Sequence, residues 1–321
     1  MESAVSFEKT RQWLRGPVVA VATPFNEDLS LDLGGAAANI EALVERGVRT
    51  GDGVLLVAAA AGEFPTMSID ERHAVIRASV RAAAGRVPVM ASVQHTDVRE
   101  IVDLLRFCAD EGVAGVQLGP AYYYPATEDD LFRLIDRADR AASIPLMVYS
   151  TWWDGGVVLT PPILRRLAEF EHVDAVKWSA PDSAGFAAGI SAIADRLVVV
   201  DNHAIHVWGH LLGSRAFVTH VGNFWPEWAV GLWHDLEAGD YPAATRRLVE
   251  FKEPWSQWAH RVAAITGGEG PFIKAALELA GLSGGPPRPP SARITGPLVD
   301  ELRTLFESKG VPMPSLATTR R

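Results

Sequence analysis

The chain has 321 residues, and its apolar fraction of 48% is enough for one large α/β domain or two modest ones. A net charge of −9 without any basic run argues against nucleic acid and anionic membranes as partners. The only cysteine, Cys108, excludes an internal disulfide and a thiolate metal cluster, so we expect a cytoplasmic protein in a reducing compartment.

The first segment, residues 1–15, contains acidic residues and has no apolar stretch of the kind found in signal peptides. We therefore expect a short N-terminal arm that precedes the fold. No later segment approaches eighteen uninterrupted apolar residues, so the sequence predicts no transmembrane helix.

Apolar runs then recur along the chain, and each is followed by an amphipathic helical pattern. Continuous rather than alternating apolar strands indicate burial on both faces and therefore parallel pairing. Eight such units predict a (β/α)₈ TIM barrel over residues 16–225. An open doubly wound sheet is the alternative, weakened because no G-x-G-x-x-G follows the first strand. The runs lie at 17–25, 53–60, 87–93, 113–119, 144–150, 173–179, 197–201 and 216–222.

The remaining chain has helical patterns only. Residues 226–310 predict a C-terminal helical extension, interrupted by the Pro/Gly-rich link at 283–297. Residues 311–321 carry no periodic pattern, and we expect a loose tail.

A lysine directly follows an apolar run in "VDAVKWS", and Lys177 thus ends the sixth predicted strand. Carboxyl ends of barrel strands face the active-site mouth. Two interpretations of Lys177 are open: its amine extends to solvent, or it is a desolvated nucleophile that forms a Schiff base with a carbonyl compound. Tyr149 ends the fifth strand, about 4.8 Å away across a parallel pair, where a phenol could relay protons.

The stretch "AAAGEFPTMSIDER", residues 59–72, follows the second strand. Gly62 in this turn could expose backbone N–H groups that hold a carboxylate. The same stretch also contains an ordinary helix start, with Ser68 as N-cap and Glu71 at the third helical position.

Together these residues resemble the dihydrodipicolinate synthase / N-acetylneuraminate lyase family of class I aldolases, of which this chain looks like a divergent member. The resemblance covers about residues 16–282, and more weakly extends to 310. It rests on "GPVVAVATPF", on "AAAGEFPTMSIDER" in place of a Gly-Thr-Thr-Gly-Glu loop, on "YSTWWDGG" in place of Tyr-Asn-x-Pro, and on "VKWS" in place of a Lys-(Glu/Asp)-(Ser/Ala) strand end.

The resemblance implies roles for individual residues. It makes Lys177 the imine-forming lysine, Tyr149 the proton-relay tyrosine, and Tyr122 a second tyrosine of the kind often donated to a neighbouring subunit. It also implies a substrate-binding set: Ala60, Ala61 and Gly62 for the carboxylate of a 2-oxo acid, and Val218 for the methyl side of the substrate.

Two departures from the family pattern bear on the substrate. Ala60 and Ala61 replace two hydroxyl residues, which loses hydrogen bonds worth about 0.5–1.5 kcal/mol each. Trp152 and Trp153 stand where the synthase branch has an arginine, and indoles cannot replace a guanidinium fork. The tryptophans near the predicted mouth, Trp178 included, either fill the loop layer or form a box for an apolar or aromatic substrate.

Four histidines lie near the last two predicted strands: His203, His206 and His210 follow the seventh strand at helical spacing, and His220 lies on the eighth. No carboxylate or cysteine pattern completes a metal site there, and imine chemistry needs none. His203 or His220 could instead serve as a hydrogen-bond donor or acid/base group near the mouth, and His203 joins the predicted substrate-binding residues.

The sequence thus predicts a lyase that forms a Schiff base on Lys177 with pyruvate or a related 2-oxo acid, for aldol cleavage, condensation or dehydration. It predicts no cofactor, and the resemblance implies a homotetramer or dimer of dimers. One alternative is a catalytically silent protein that senses a 2-oxo acid, motivated by Ala60 and Ala61. Another is 4-hydroxy-tetrahydrodipicolinate synthase proper.

Overall fold

Eight parallel strands close into a barrel, with β1 paired to β8. The computed structural model describes residues 2–120, 124–150, 152–154 and 156–314. The predicted (β/α)₈ barrel is confirmed, and the open sheet is excluded because β1 and β8 are hydrogen-bonded neighbours. The strands are β1 Gly16–Ala20, β2 Val54–Val57, β3 Val89–Ser92, β4 Gly115–Leu118, β5 Leu146–Tyr149, β6 Val173–Trp178, β7 Val198–Asp201 and β8 Ala216–Thr219.

Helix α1, Glu2–Trp13, occupies most of the segment predicted as an arm. Its Ser6 and Thr10 hydroxyls each donate a 2.7 Å hydrogen bond to Asp174, near the start of β6. Phe7 is buried in the same cluster as the residues that fill the barrel interior. The helix therefore covers the end of the barrel opposite the strand end that carries Lys177.

A helix follows each strand and forms the outer layer. Polar caps set where several of these helices begin: Ser68 and Glu71 form the predicted capping box of α3, and Thr127 and Asp130 form another at α5. The outer helices are α2 Leu33–Glu45, α3 Ile69–Ala83, α4 Val98–Asp110, α5 Glu128–Asp139, α6 Pro161–Leu167, α7 Ser183–Ile193, α8 His206–Leu212 and α9 Pro226–Glu237.

Alternation along the strands separates two buried layers. Residues such as Met147 and Ala175 point into the barrel, while Val148 and Val176 pack against the helices. Both faces are apolar because both are covered, which explains the continuous apolar runs. The interior cluster contains Val18, Val54, Leu56, Met90, Met147, Ala175, Val198, Val200 and Ala216.

The segment predicted as the C-terminal extension begins with α9, which completes the outer layer of the barrel. The helices beyond it, called the extension below, are α10 Tyr241–Arg247, α11 Glu253–Thr266, α12 Gly270–Leu279 and α13 Pro297–Lys309. A π-helical turn, Leu248–Lys252, joins α10 to α11. The extension shares a second core with α9 and with residues that follow β1 and β2, through Trp255, Phe272 and Ala61. Val311, in the predicted tail, is buried, and residues 315–321 lie outside the described part of the chain.

Candidate active site

Lys177 lies near the carboxyl end of β6 with its side chain inside the barrel, since it shares the face of Ala175. Only 7% of the residue is exposed. Burial lowers the pKa of the Lys177 ammonium to about 8, although the charge of Glu269 acts in the opposite direction. An amine with such a pKa is partly neutral near physiological pH and is therefore able to attack a carbonyl.

Tyr149 is the register partner of Lys177 across the β5–β6 pair. The Lys177 nitrogen lies 3.9 Å from the centre of the Tyr149 ring. The residues between Tyr149 and Lys177 therefore connect β5 to β6 through one helix, and pairing of these two strands brings their ends together. The structure thus joins the predicted nucleophile and the predicted proton relay in one place.

The turn after β2 lies at the same end of the barrel as Lys177 and Tyr149. Ala60–Gly62 form one 3₁₀ turn, and Ala58 and Glu63 on either side have left-handed φ angles of 48° and 58°. Non-glycine residues rarely adopt this conformation, and it tends to occur at functional turns. Within the described chain, the N–H groups of Ala60 and Ala61 donate no backbone hydrogen bond. This geometry leaves donors available for a carboxylate.

Ser179 was not predicted as a site residue, although it is part of the "VKWS" motif. It follows β6 on the same face as Lys177 and is 7% exposed. Its hydroxyl oxygen is buried and has no hydrogen-bond partner among the described residues, as is also true of Gln117 Oε1 on β4. Buried polar atoms normally have partners, so these two groups are candidates for contact with substrate.

A cavity of about 320 Å³ extends from the carboxyl ends of β7 and β8 to the underside of the C-terminal helices. Val218, predicted to contact substrate, lines it and has the inward-facing position of Ala216 on β8. Trp153, Trp255 and Phe272 supply aromatic surface. The cavity is therefore partly apolar, as expected for a site that receives an organic substrate.

Glu269, just before α12, also lines this cavity. Its Oε2 lies 3.4 Å from Nε2 of His220. Desolvation would raise the pKa of Glu269, but His220 and the charge of Lys177 outweigh it and hold that pKa at about 2. Glu269 thus remains ionised, and its negative charge favours the protonated form of Lys177. No sequence signal pointed to it, because it belongs to the extension rather than to a strand end.

The three tryptophans occupy different surroundings. Trp152 and Trp153 are exposed, with ring centroids 5.5 Å apart in an edge-on arrangement, and only Trp153 lines the cavity. Trp178 instead points outward from the barrel, where it is buried against Phe186 and donates its indole N–H to the Phe186 carbonyl. Of these three tryptophans, Trp153 therefore lines the cavity together with aromatic residues of the extension, and Trp178 belongs to the packed outer layer.

The structure separates the four histidines. His206, buried, contacts Asp201 at 2.6 Å and lines the cavity, as does His220. His203 stacks on Phe186 at 4.9 Å and does not line it, and His210 pairs with Glu237 at 3.0 Å. Over the ranges that the structure describes, no three histidine, cysteine, aspartate or glutamate side chains form a group that could hold a metal ion.

Tyr122, the predicted second tyrosine, lies outside the described residues. Its expected position near a subunit boundary, and the expected homotetramer or dimer of dimers, remain predictions. The structure also contains no helix, within its described ranges, of the length and apolarity that a bilayer crossing requires.

Comparison with known proteins supports the resemblance seen in the sequence. The model of the dihydrodipicolinate synthetase family matches residues 13–309. An uncharacterized DapA-like lyase of Halobacterium salinarum is 30% identical over 277 residues, which cover 86% of this chain and 88% of the relative. A 4-hydroxy-tetrahydrodipicolinate synthase of Methanoculleus marisnigri is 27% identical over 92% of this chain and 99% of its own length.

Similarity to a solved structure supports the same family relationship. The prophage protein YagE of Escherichia coli K12, solved in complex with pyruvate, matches with a TM-score of 0.82 and 25% identity, covering 92% of this chain and 99% of its own. YagE is named a putative 2-dehydro-3-deoxy-D-gluconate aldolase. Because the family model spans nearly the whole chain, from the end of α1 to the end of α13, this protein belongs to the dihydrodipicolinate synthetase family.

Proposed function

We propose that the protein is a lyase that forms a Schiff base between Lys177 and pyruvate or a related 2-oxo acid. The observation that carries the proposal is the position of the Lys177 amine, buried inside the barrel and 3.9 Å from the centre of the Tyr149 ring. Burial keeps part of this amine neutral, and the neutral amine is the nucleophile. The pyruvate in the YagE structure supports this choice of ligand.

The proposed reaction begins when the Lys177 nitrogen attacks the keto carbon and forms a carbinolamine. Tyr149 relays a proton to the departing hydroxyl, water leaves, and the protonated imine forms. The imine accepts the electron pair released when a C–C bond breaks, or when a proton leaves the adjacent carbon before elimination of water. The enamine that results takes up a proton on carbon after C–C cleavage, or expels the β-hydroxyl as water in the dehydration, and either step gives an imine again. Hydrolysis of this imine then returns the free amine. The N–H groups of Ala60 and Ala61 hold the substrate carboxylate.

The residues around this centre favour a substrate with an apolar or aromatic part. Trp153 and Phe272 line the neighbouring cavity, and Trp152 and Trp153 occupy the place of the arginine found in the synthase branch. We therefore favour a hydratase-aldolase-like or sugar-acid-dehydratase-like reaction over 4-hydroxy-tetrahydrodipicolinate synthesis, and the apolar walls favour the hydratase-aldolase-like reaction of the two. The proposal involves no cofactor, and a cytoplasmic homotetramer or dimer of dimers completes it.

Borohydride trapping tests the proposal. The protein is incubated with pyruvate and sodium borohydride, and intact mass with peptide mapping locates the adduct. We expect one reduced adduct on Lys177, absent from Lys177→Ala and present in Lys9→Met, a control at an exposed lysine. No adduct in the wild type, or an adduct on another lysine, contradicts the proposal.

The sensor alternative is favoured by one observation, the loss of both hydroxyl side chains at Ala60 and Ala61. It predicts pyruvate binding in calorimetry without a trapped adduct. A trapped adduct without turnover of any 2-oxo acid aldol would likewise favour a silent family member.

A further inference from the structure

The π-helical turn between α10 and α11 places a lysine in the wall of the cavity that Val218 and Glu269 also line. The turn spans Leu248–Lys252, and Lys252 is the residue that lines the cavity. A π turn widens the helix by one residue and is frequent at functional sites. Lys252 thus reaches the cavity from the C-terminal extension, whereas Val218 reaches it from β8.

In the part of the chain that the structure describes, Lys252 forms no ion pair, whereas the acidic residues that line the cavity are paired with histidines. Among the described residues, no acceptor lies within hydrogen-bond or ion-pair distance of the Lys252 amine. Asp201 accepts the backbone N–H groups of His203 and Ala204, and its second oxygen contacts His206 at 2.6 Å. Glu269 pairs with His220. Within the described ranges, Lys252 therefore lines the cavity without an acidic side chain in direct contact with its amine.

A charged Lys252 amine is unfavourable in free energy in these buried surroundings unless an anionic ligand pairs with it. Burial lowers the pKa of Lys252, while the more distant charges of Glu253 and Asp201 act against that effect. The cavity walls near it include the buried rings of Trp255 and Phe272, whose centroids are 5.9 Å apart. A ligand that suits this cavity has an apolar or aromatic body and an anionic group.

We propose that this cavity receives the part of the substrate beyond the 2-oxo acid, and that Lys252 selects substrates carrying a second carboxylate on an aromatic or apolar body. This inference rests on the proposed function of Lys177 for the position of the 2-oxo acid. Lys252 is then a specificity-determining residue. It pairs with the distal carboxylate and takes no part in imine formation.

Titration calorimetry with benzoate and its neutral analogue benzamide tests the inference. Saturating pyruvate is present so that the Ala60–Ala61 turn is occupied. We expect benzoate to bind about tenfold more tightly than benzamide, the effect of one charge-assisted hydrogen bond. The preference should disappear in Lys252→Met, persist in Lys252→Arg, and persist in the exposed control Lys9→Met.

Equal binding of the two ligands, no detectable binding of either, or a preference that survives Lys252→Met overturns the inference. Pyruvate trapping in the wild type, measured beside the titrations, separates this result from the proposed function. If the wild type forms no adduct, the proposed function fails, and the benzoate titration on the free protein still decides whether the cavity selects carboxylates through Lys252.

Discussion

The Lys274 amine lies 2.6 Å from Oε1 of Glu63, and both residues are buried, at 2% and 8% exposure. Glu63 ends the turn that carries Ala60 and Ala61, and Lys274 lies in α12 of the C-terminal extension. The pair therefore ties the extension to the proposed carboxylate-binding turn. The backbone N–H of Arg288, which donates to Glu63 Oε2 at 3.1 Å, adds a second tie from the Pro/Gly-rich link.

We predict that Lys274→Met destabilises the protein by about 3–5 kcal/mol, because it leaves the Glu63 carboxylate buried without its cation. Urea unfolding followed by far-UV circular dichroism measures the change. The double variant Lys274→Met with Glu63→Gln should regain more than half of the loss, and Lys9→Met should match the wild type. A loss in the double variant equal to that in the single one would contradict this account.

Trp178 is predicted to be a packing residue rather than a substrate contact. A Cβ at Gly189 in α7 would lie 2.3 Å from the Trp178 ring, so Gly189→Ala should cost about 1–3 kcal/mol through overpacking. Gly185→Ala in the same helix is the matched control, since the nearest atom there is 3.4 Å away. Thermal unfolding should show a lower Tm for Gly189→Ala only. Equal Tm values for both variants would refute the close packing.

The rate of imine formation should depend on pH with a midpoint near 8. Below the lowered pKa of Lys177, about 8, the amine is protonated and cannot attack, so each further pH unit should slow trapping about tenfold. Above it the rate should level off, well below the 10.5 of an ordinary lysine. Initial rates of borohydride trapping between about pH 6 and pH 10 give the profile. A rate that still climbs at the alkaline limit would rule out a desolvated amine.

Glu269→Gln should move the pH midpoint of imine formation to lower pH. The Glu269 carboxylate favours the charged form of Lys177, so its removal leaves desolvation unopposed and lowers the pKa of the amine further. The same trapping assay measures the shift, with Glu307→Gln, an exposed position on α13, as the control. An unchanged midpoint, or a shift to higher pH, would show that Glu269 does not act on Lys177.

The barrel and the pairing of Lys177 with Tyr149 could be predicted because both depend on local pattern. Apolar runs followed by amphipathic helices specify parallel strands, and consecutive strands of a barrel are neighbours. The ends of β5 and β6 therefore had to meet. The family resemblance could be seen in the sequence as well, because its motifs are short stretches on or next to individual strands, and the family model confirms it.

The side chains that point into the mouth of the barrel were harder to predict. Trp178 follows Lys177 directly, yet strand alternation turns it to the opposite face. His203 and His206 are three residues apart, but only His206 lines the cavity, because α8 begins there and its ring pairs with Asp201. Whether a side chain near the mouth points into it depends on the local turn, which residue type alone does not reveal.

The class of fold, the strand ends that form the mouth and the position of the Lys177 amine among them all follow from short-range periodicity in the chain. The surroundings of that amine instead depend on how distant elements pack. Glu269 and Lys252 come from helices that fold back over β7 and β8 after the barrel is complete. Contacts between residues so distant in the chain depend on how whole elements pack, and no local pattern encodes them.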